Sequence, residues 1–572
     1  MGEFNAAGLL TSSDVHVASR VGALGNEDDA TVLLAVALTV RAVRRGSIAV
    51  DLATVPQAAP ELSWPDPEAW VSAVHASPLL EAGVIRFDHG LLYLDRYHRL
   101  ETQVCDDLLA RAAQPPPPVD EAALATALGL IRGGHFSDEQ EAAAAAATSR
   151  WTTVLTGGPG TGKTTTVARI LVLLADQAAT RGERLSIALA APTGKAATRL
   201  QEAVLTELAE VAAASPAAKE AADRVGRPDG LTLHRLLGWR PDNSTRFRHD
   251  RTNRLKYDVV VVDECSMVEL TMMGRLLEAV RPHARLILVG DPKQLTSVGA
   301  GAVLSDLVAG YDGDPASPVG ALTHNFRAQE DIKALAEALR GGDADEVLAV
   351  LRAPSEQVEF VEAADLAEIE AVLRPDCLDA ALAVRAAALA EDAEGAITAL
   401  DHHRLLCAHR EGPHGVRRWN AQVERWLAET PDVEIFGQWY VGRPLLVTSN
   451  DYALDVYNGE IGVVVRQGLR QRAFVAGSER LKDFAVGRLD AVETMHAMTI
   501  HKSQGSEARR VTVLLPEADS RLLTRELFYT AVTRAREKVR VVGSAAAVRA
   551  AVATQATRAT GLRQRLQAAR SD

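Results

Sequence analysis

The run Gly157, Gly158, Pro159, Gly160, Thr161, Gly162, Lys163, Thr164 satisfies the phosphate-loop pattern G-x-x-x-x-G-K-[ST] at every fixed position. That spacing serves phosphate binding. The glycines let successive backbone N–H groups turn toward phosphate oxygens, and the helix that follows adds partial positive charge. Lys163 then reaches the β- and γ-phosphates of a nucleotide, and the Thr164 hydroxyl ligates Mg²⁺. Thr165 extends the same edge. The flanking residues supply the elements this chemistry needs: Thr152–Thr156 reads as a buried strand, and Thr165–Ala175 has helical apolar spacing.

A second cluster completes the reaction. Val259–Val262 is an apolar strand that ends in Asp263 and Glu264. A carboxylate at a strand's C-terminal end beside the phosphate loop can hold Mg²⁺, and its neighbour can orient or deprotonate the attacking water. Leu286–Val289 is another strand, followed by a polar turn in which Gln294 is long enough to read a γ-phosphate or water. Arg327 and Arg534 come from the second half of the chain, and arginines reaching across a cleft stabilise charge that develops in phosphoryl transfer. Gln140, ahead of the loop, has the amide needed to read an adenine edge, and an ordinary helix-start role fits it as well.

Residues suited to contact a single-strand phosphate backbone form a third set. They are Pro192, Thr193 and Lys195 after one strand, His234 after Thr232, and Thr499, His501, Ser503 and Gln504 near the end, with Glu507 assigned to the nucleotide side. Between Trp239 and Lys256 six basic residues interleave with Trp239 and Phe247. Such a hairpin either grips a strand by charge and stacking or is a solvated surface.

The 572 residues exceed one core, and three or four domains are expected. The four cysteines, Cys105, Cys265, Cys377 and Cys407, are too far apart for metal-ligand spacing or a disulfide scaffold, which suits a reducing cytoplasm. The first residues lack a secretion signal, and the apolar run Thr31–Val40 is too short to span a bilayer, so no membrane association is expected. Net charge is −13; residues 1–135 carry 9 Lys/Arg against 17 Asp/Glu, so the N-terminal quarter is a poor grip for phosphate backbone.

Residues 1–112 read as a mainly helical, partner-docking domain, with helices over Asp28–Arg45 and Trp70–Leu80, a strand at Leu91–Leu94 and a helix through Leu109. Residues 113–120, containing Pro115–Pro118, form a stiff linker. Strands alternating with helices over 121–320 indicate a parallel sheet, with the basic hairpin at 239–256. A second α/β unit covers 321–572 and contains a β-insertion at about 433–491; its tail from Ala545 reads as helix.

The ordered set GGPGTGKT, APTGKAATRL, TLHRLLG, VVVVDECSM, GDPKQLTSVGAGAVL, NFR, AMTIHKSQGSE and LFYTAVTRAR resembles the superfamily 1 helicases of the RecD branch. The likeness spans Gln140 to Arg536. It implies two RecA-like P-loop domains that bind ATP and Mg²⁺ between them, an SH3-like module at the β-insertion, and 5′→3′ movement on single-stranded DNA. The branch holds the RecD subunit of the RecBCD complex (exodeoxyribonuclease V) and a longer stand-alone helicase. The short acidic region before the prolines and Leu91–Arg96 are similar to the subunit, which implies RecB-like and RecC-like partners, action at DNA ends, and nuclease activity only through a partner. The stand-alone helicase, and a DNA-responsive ATPase switch that does not translocate, remain the alternatives.

Overall fold

A computed structural model describes residues 1–132, 136–240, 243–296, 299–314, 316–324, 326, 330–363, 365–435, 437–451, 453–477, 480–556 and 558–571, and of residues 243–245 and 571 only the backbone. The phosphate-loop strand lies inside a six-stranded sheet. Its order is Val319–Leu322, Thr152–Gly157, Arg285–Gly290, Val259–Val262, Ile187–Ala191, Gly230–Thr232. Every neighbouring pair is parallel. Successive strand residues point to opposite faces, so a strand buried on both must be apolar throughout. Val260 and Val262 with Leu286 and Leu288 enter one core; Val259 and Val261 with Ile287 and Val289 enter another.

The two faces are covered differently. One receives helices close in sequence to its strands, among them Glu121–Ile131, Lys163–Ala179 and Gly194–Ala214. The other receives Leu270–Ala279 and Val303–Gly310, together with segments from both ends of the chain. Val104, Cys105 and Leu108 of helix Asp95–Ala112 pack there, as do Leu562 and Leu566 of helix Leu562–Ser571. The proline segment therefore divides the sequence without ending the packing. A division at 320/321 also cuts through the edge strand Val319–Leu322, whose Leu322 pairs with Gly157.

The second parallel sheet runs Val358–Val361, Ala535–Val542, Ala508–Leu514, His403–Cys407, Ala497–Thr499. Between its adjacent strands His403–Cys407 and Ala497–Thr499 the chain builds a five-stranded antiparallel sheet. That sheet has the order Leu481–Ala485, Arg470–Ala476, Ile461–Gln467, Pro444–Val447, Val492–Thr494. Residues 1–94 form helices Ser12–Gly25 and Ala30–Arg44, shorter elements, and a three-stranded sheet that includes Leu91–Leu94, around the buried Trp70. The helix expected over Trp70–Leu80 breaks at Ser77, because Pro78 cannot donate to a continuing helix; Ser77 caps the short turn Pro78–Glu81 instead. Among the described residues no helix is long and apolar enough to cross a membrane.

Candidate nucleotide and nucleic-acid site

The phosphate loop leaves strand Thr152–Gly157 at the end facing the second parallel sheet and enters helix Lys163–Ala179. Gly160 and Gly162 sit at φ 81° and 75°, a region that suits glycine because it has no Cβ. Lys163 folds back and donates from Nζ to the Gly157 and Gly158 carbonyls at 2.8 and 2.9 Å. A cleft of about 320 Å³ opens over this loop. From the first half it collects Lys163, Thr164, Asp263, Glu264 and Gln294; from the second it collects Glu507 and Arg534. These seven residues, together with Pro159, Gly160, Gly162 and Thr165, were all singled out from sequence and share one cavity. Arg327 lies outside the described residues.

Asp263 accepts the Glu264 N–H at 2.8 Å. Burial and the adjacent Glu264 carboxylate push its pKa up, and Lys163 and Arg199 pull it down. Removal from water disfavours a lone carboxylate, and a cation placed there restores its charged form. Glu264 takes the left-handed conformation, φ 53°, which costs a residue with a Cβ and marks a position held by its surroundings.

Other side chains are engaged by the loop and its neighbours, and Gln140 takes the helix-start role that its sequence position also allowed. Gln140 is buried; its Nε2 donates to the Gly162 carbonyl at 3.2 Å, and its Oε1 accepts the Ser137 N–H at 2.9 Å. In this conformation its amide braces the loop. Thr165 donates to Glu207 at 2.8 Å, and Thr161 to the Gly158 carbonyl at 2.9 Å. Arg534 is buried and donates to the Thr530 carbonyl at 3.1 Å while lining the cleft.

The expected strand-binding residues separate into two groups. Pro192, Thr193, Lys195, His234, Thr499 and His501 are partly accessible. Lys195 opens onto a second cleft of about 280 Å³ shared with Asp401, Glu460 and Glu507; burial lowers its pKa to about 8. Thr193 caps helix Gly194–Ala214. His234 stacks edge-on against Phe247 of the basic hairpin, and burial holds both His234 and His501 toward the neutral form. Ser503 and Gln504 are buried instead. Ser503 donates to the Ile500 carbonyl at 2.7 Å, and Gln504 crosses between halves to the Leu295 carbonyl at 2.7 Å. The Ser503 hydroxyl and one N–H of the Gln504 amide are thus spent on holding the segment in place. In the hairpin, Arg251 pairs with Asp107 and Arg254 donates to the Val280 carbonyl, while Arg240, Arg246 and Arg248 are exposed.

Sequence reasoning missed Arg199 and Arg340. Arg199 lines both clefts, donates to the Gly505 carbonyl at 3.1 Å and pairs with Glu507 at 3.3 Å. Its place in the APTGKAATRL run was a usable signal. Arg340 ends an amphipathic helix, and nothing in its neighbours distinguishes it from a surface arginine.

Three families match segments of this chain: an AAA domain over residues 140–300, the UvrD-like helicase C-terminal domain over 494–542, and the N-terminal domain of RecBCD enzyme subunit RecD over 6–86. The RecBCD enzyme subunit RecD of Mycolicibacterium smegmatis is 55% identical over 98% of both chains. The chain belongs to the RecD family. Membership covers the N-terminal region as well as the motor sheets. The ATP-dependent RecD2 DNA helicase of Deinococcus radiodurans is 34% identical over 73% of this chain but only 50% of its own. A solved Pif1 helicase from Bacteroides bound to single-stranded DNA aligns with 72% of this chain at 17% identity and a TM-score of 0.38. Together with the phosphate loop, the AAA match implies that this member of the RecD family uses a nucleotide.

Proposed function

We propose that the chain is the ATP-driven, 5′→3′ DNA helicase subunit of a RecBCD-type complex, working on DNA ends in double-strand-break repair and recombination in the cytoplasm. RecB-like and RecC-like chains would be its partners and would carry the nuclease. One observation bears most of the weight: Lys163, Thr164, Asp263 and Glu264 of one sheet share a cleft with Glu507 and Arg534 of the other. A nucleotide bound there touches both halves, so its hydrolysis can change their separation.

Thr164 and Asp263 offer hard oxygen donors beside the phosphate loop, and the raised pKa of Asp263 is what a cation would reverse. They fit Mg²⁺, which when bound would supply positive charge to offset that of the phosphates. The chain's own residues do the rest. Loop amides and Lys163 orient the phosphates, Glu264 orients water and takes its proton, and Arg534 with Gln294 meets charge that develops on the γ-phosphate. Arg327 is assigned the same duty on the strength of the resemblance. The units read as 121–320 and 321–572, with their boundary moved past strand Val319–Leu322, act as the two motor units, the part of 1–112 before Asp95 as the docking region, and Thr193, Lys195, His234, Thr499 and His501 as the strand path.

The test is DNA-stimulated ATPase and strand translocation of the wild type and Lys163→Ala. The wild type should hydrolyse ATP faster with single-stranded DNA and move along it, and the variant should lose both while keeping its fold. Hydrolysis that ignores DNA, or a variant with near-normal turnover, would overturn this function. DNA-stimulated hydrolysis without movement would favour a switch.

A further inference from the structure

The space above Gly158 is already occupied. A methyl group built on that glycine would overlap Arg340 Nη2 and stand 3.3 Å from the Tyr529 hydroxyl. Both residues belong to the second half of the chain, on helices Glu330–Gly341 and Arg525–Val532. A cationic guanidinium from one motor unit therefore lies directly on the phosphate loop of the other. With Tyr529 it lines a small cavity whose opposite wall is Pro159 and Thr161 of that loop.

Arg340 does not act alone. Its Nη2 donates to the Tyr529 hydroxyl at 2.8 Å, and that hydroxyl donates to Asp291 Oδ2 at 2.9 Å. The same Oδ2 accepts Gln294 Nε2 at 3.3 Å. Among the described residues Gln294 Oε1 is buried and has no hydrogen-bond partner, so the amide is held by one end only. The segment that follows is tied to the second half twice more: Leu295 N–H donates to Thr530 at 2.8 Å, and Gln504 donates to the Leu295 carbonyl at 2.7 Å. Gln504 adjoins His501, which stands on the proposed strand path.

We propose that Arg340 is a further γ-phosphate-binding arginine and that Tyr529 and Asp291 relay its position to Gln294. The proposal rests on the reading of the cleft as an ATP site. Charge chooses between the two partners of Arg340. A neutral phenol is a weak acceptor, and a terminal phosphate oxygen carries negative charge, so the guanidinium transfers its hydrogen bond when a triphosphate arrives. Tyr529 then loses a donor that polarised its hydroxyl toward Asp291, and Gln294 is free to rotate its unsatisfied oxygen toward the nucleotide or its attacking water. ADP lacks the γ-phosphate and leaves Arg340 on Tyr529. The full chain thereby distinguishes ATP from ADP through one arginine and reports the difference to the segment 291–295, which joins the two halves.

The experiment compares Arg340→Ala, Arg340→Lys, Tyr529→Phe and the control Lys163→Ala in the full chain. It measures binding of ADP and of a non-hydrolysable ATP analogue, and turnover with and without single-stranded DNA. Arg340→Ala should leave ADP affinity within about twofold and weaken the ATP analogue about tenfold, the range of one charge-assisted hydrogen bond. Arg340→Lys should recover part of that loss through charge alone. Tyr529→Phe should bind the ATP analogue at least as tightly as wild type, since the competing acceptor is gone, yet show reduced turnover and a smaller stimulation by DNA. A purely structural arginine predicts equal losses for ADP and ATP analogue with no rescue by lysine, and that result would overturn the proposal. If Lys163→Ala abolishes turnover while Arg340→Ala discriminates nothing, the relay is wrong and the ATP site stands. If Lys163→Ala is also without effect, the ATP site itself is wrong.

Discussion

Glu264 shows what a single residue gains from its place in this fold. It follows the metal-holding candidate Asp263, lines the cleft, and adopts a left-handed backbone that most side chains avoid. That conformation turns the chain sharply at the strand's end, so that consecutive carboxylates can serve different partners. Asp263 is held by the Glu264 N–H, which leaves the Glu264 carboxylate to handle water. Glu264→Gln preserves shape and removes the base. It should lower turnover by about a hundredfold or more, and nucleotide affinity should change by less than about threefold. Steady-state ATPase beside equilibrium binding checks this; a parallel loss of affinity would make Glu264 a binding group instead. The loop, Asp263, Glu264 and Arg534 were legible because each motif is contiguous and ends a regular element. Arg340 and Tyr529 were not, because their function depends on a partner more than a hundred residues away.

At the scale of elements, helix Asp95–Ala112 repays attention. Its sequence shows an amphipathic pattern that ends before four prolines, which reads as the last element of a separate domain. Its apolar face instead completes the core beneath the first parallel sheet. Arg111 fixes it there. The guanidinium is buried and donates to Thr152 at 2.9 Å and to the carbonyls of Trp151 at 2.8 Å, Ala284 at 2.6 Å and Arg281 at 3.0 Å. These groups sit where strands Thr152–Gly157 and Arg285–Gly290 begin. Arg111→Met would keep the volume but leave the Ala284 carbonyl without its donor, while the Trp151 and Arg281 carbonyls keep the N–H groups of Leu286 and Ala284, a cost of about 1–3 kcal/mol. The measurement is a urea midpoint for the motor transition, which should fall; an unchanged midpoint would mean that the helix is dispensable to the sheet. The same packing means that removing residues 1–112 exposes one face of the motor, so a docking test should cut before Asp95. Periodicity revealed which face of the helix is apolar, and only the fold reveals what covers it.

Across the whole molecule, the C-terminal tail rejoins the beginning of the chain. After helix Ala545–Ala553 it leaves the second motor unit and crosses back. Ile48 N–H donates to the Ala559 carbonyl at 3.1 Å, Arg558 donates to the Gly301 carbonyl at 3.1 Å, and Arg565 pairs with the buried Glu101 at 3.1 Å. Sequence showed only helical, Ala- and Arg-rich residues here, since a strap's contacts are all long-range. At its centre Thr560 donates to Asp306 at 2.6 Å. Burial, reinforced by Glu101, raises the Asp306 pKa to about 7, against the lowering effect of Thr560 and Arg563. An unfolded aspartate titrates near pH ~4. The folded form therefore holds its proton more tightly, and the unfolded form binds fewer protons between pH ~4 and ~7. Stability from this group is complete below pH ~4 and is lost as pH rises through about 7. Asp306→Asn keeps an acceptor for Thr560 and cannot ionise. Its melting temperature relative to wild type should rise from pH 5 to about pH 7 and level off by pH 8, and the difference between the two proteins cancels titrating groups that are not coupled to Asp306. A difference that stays constant over that range would show that Asp306 is solvated and that the strap is insensitive to its charge.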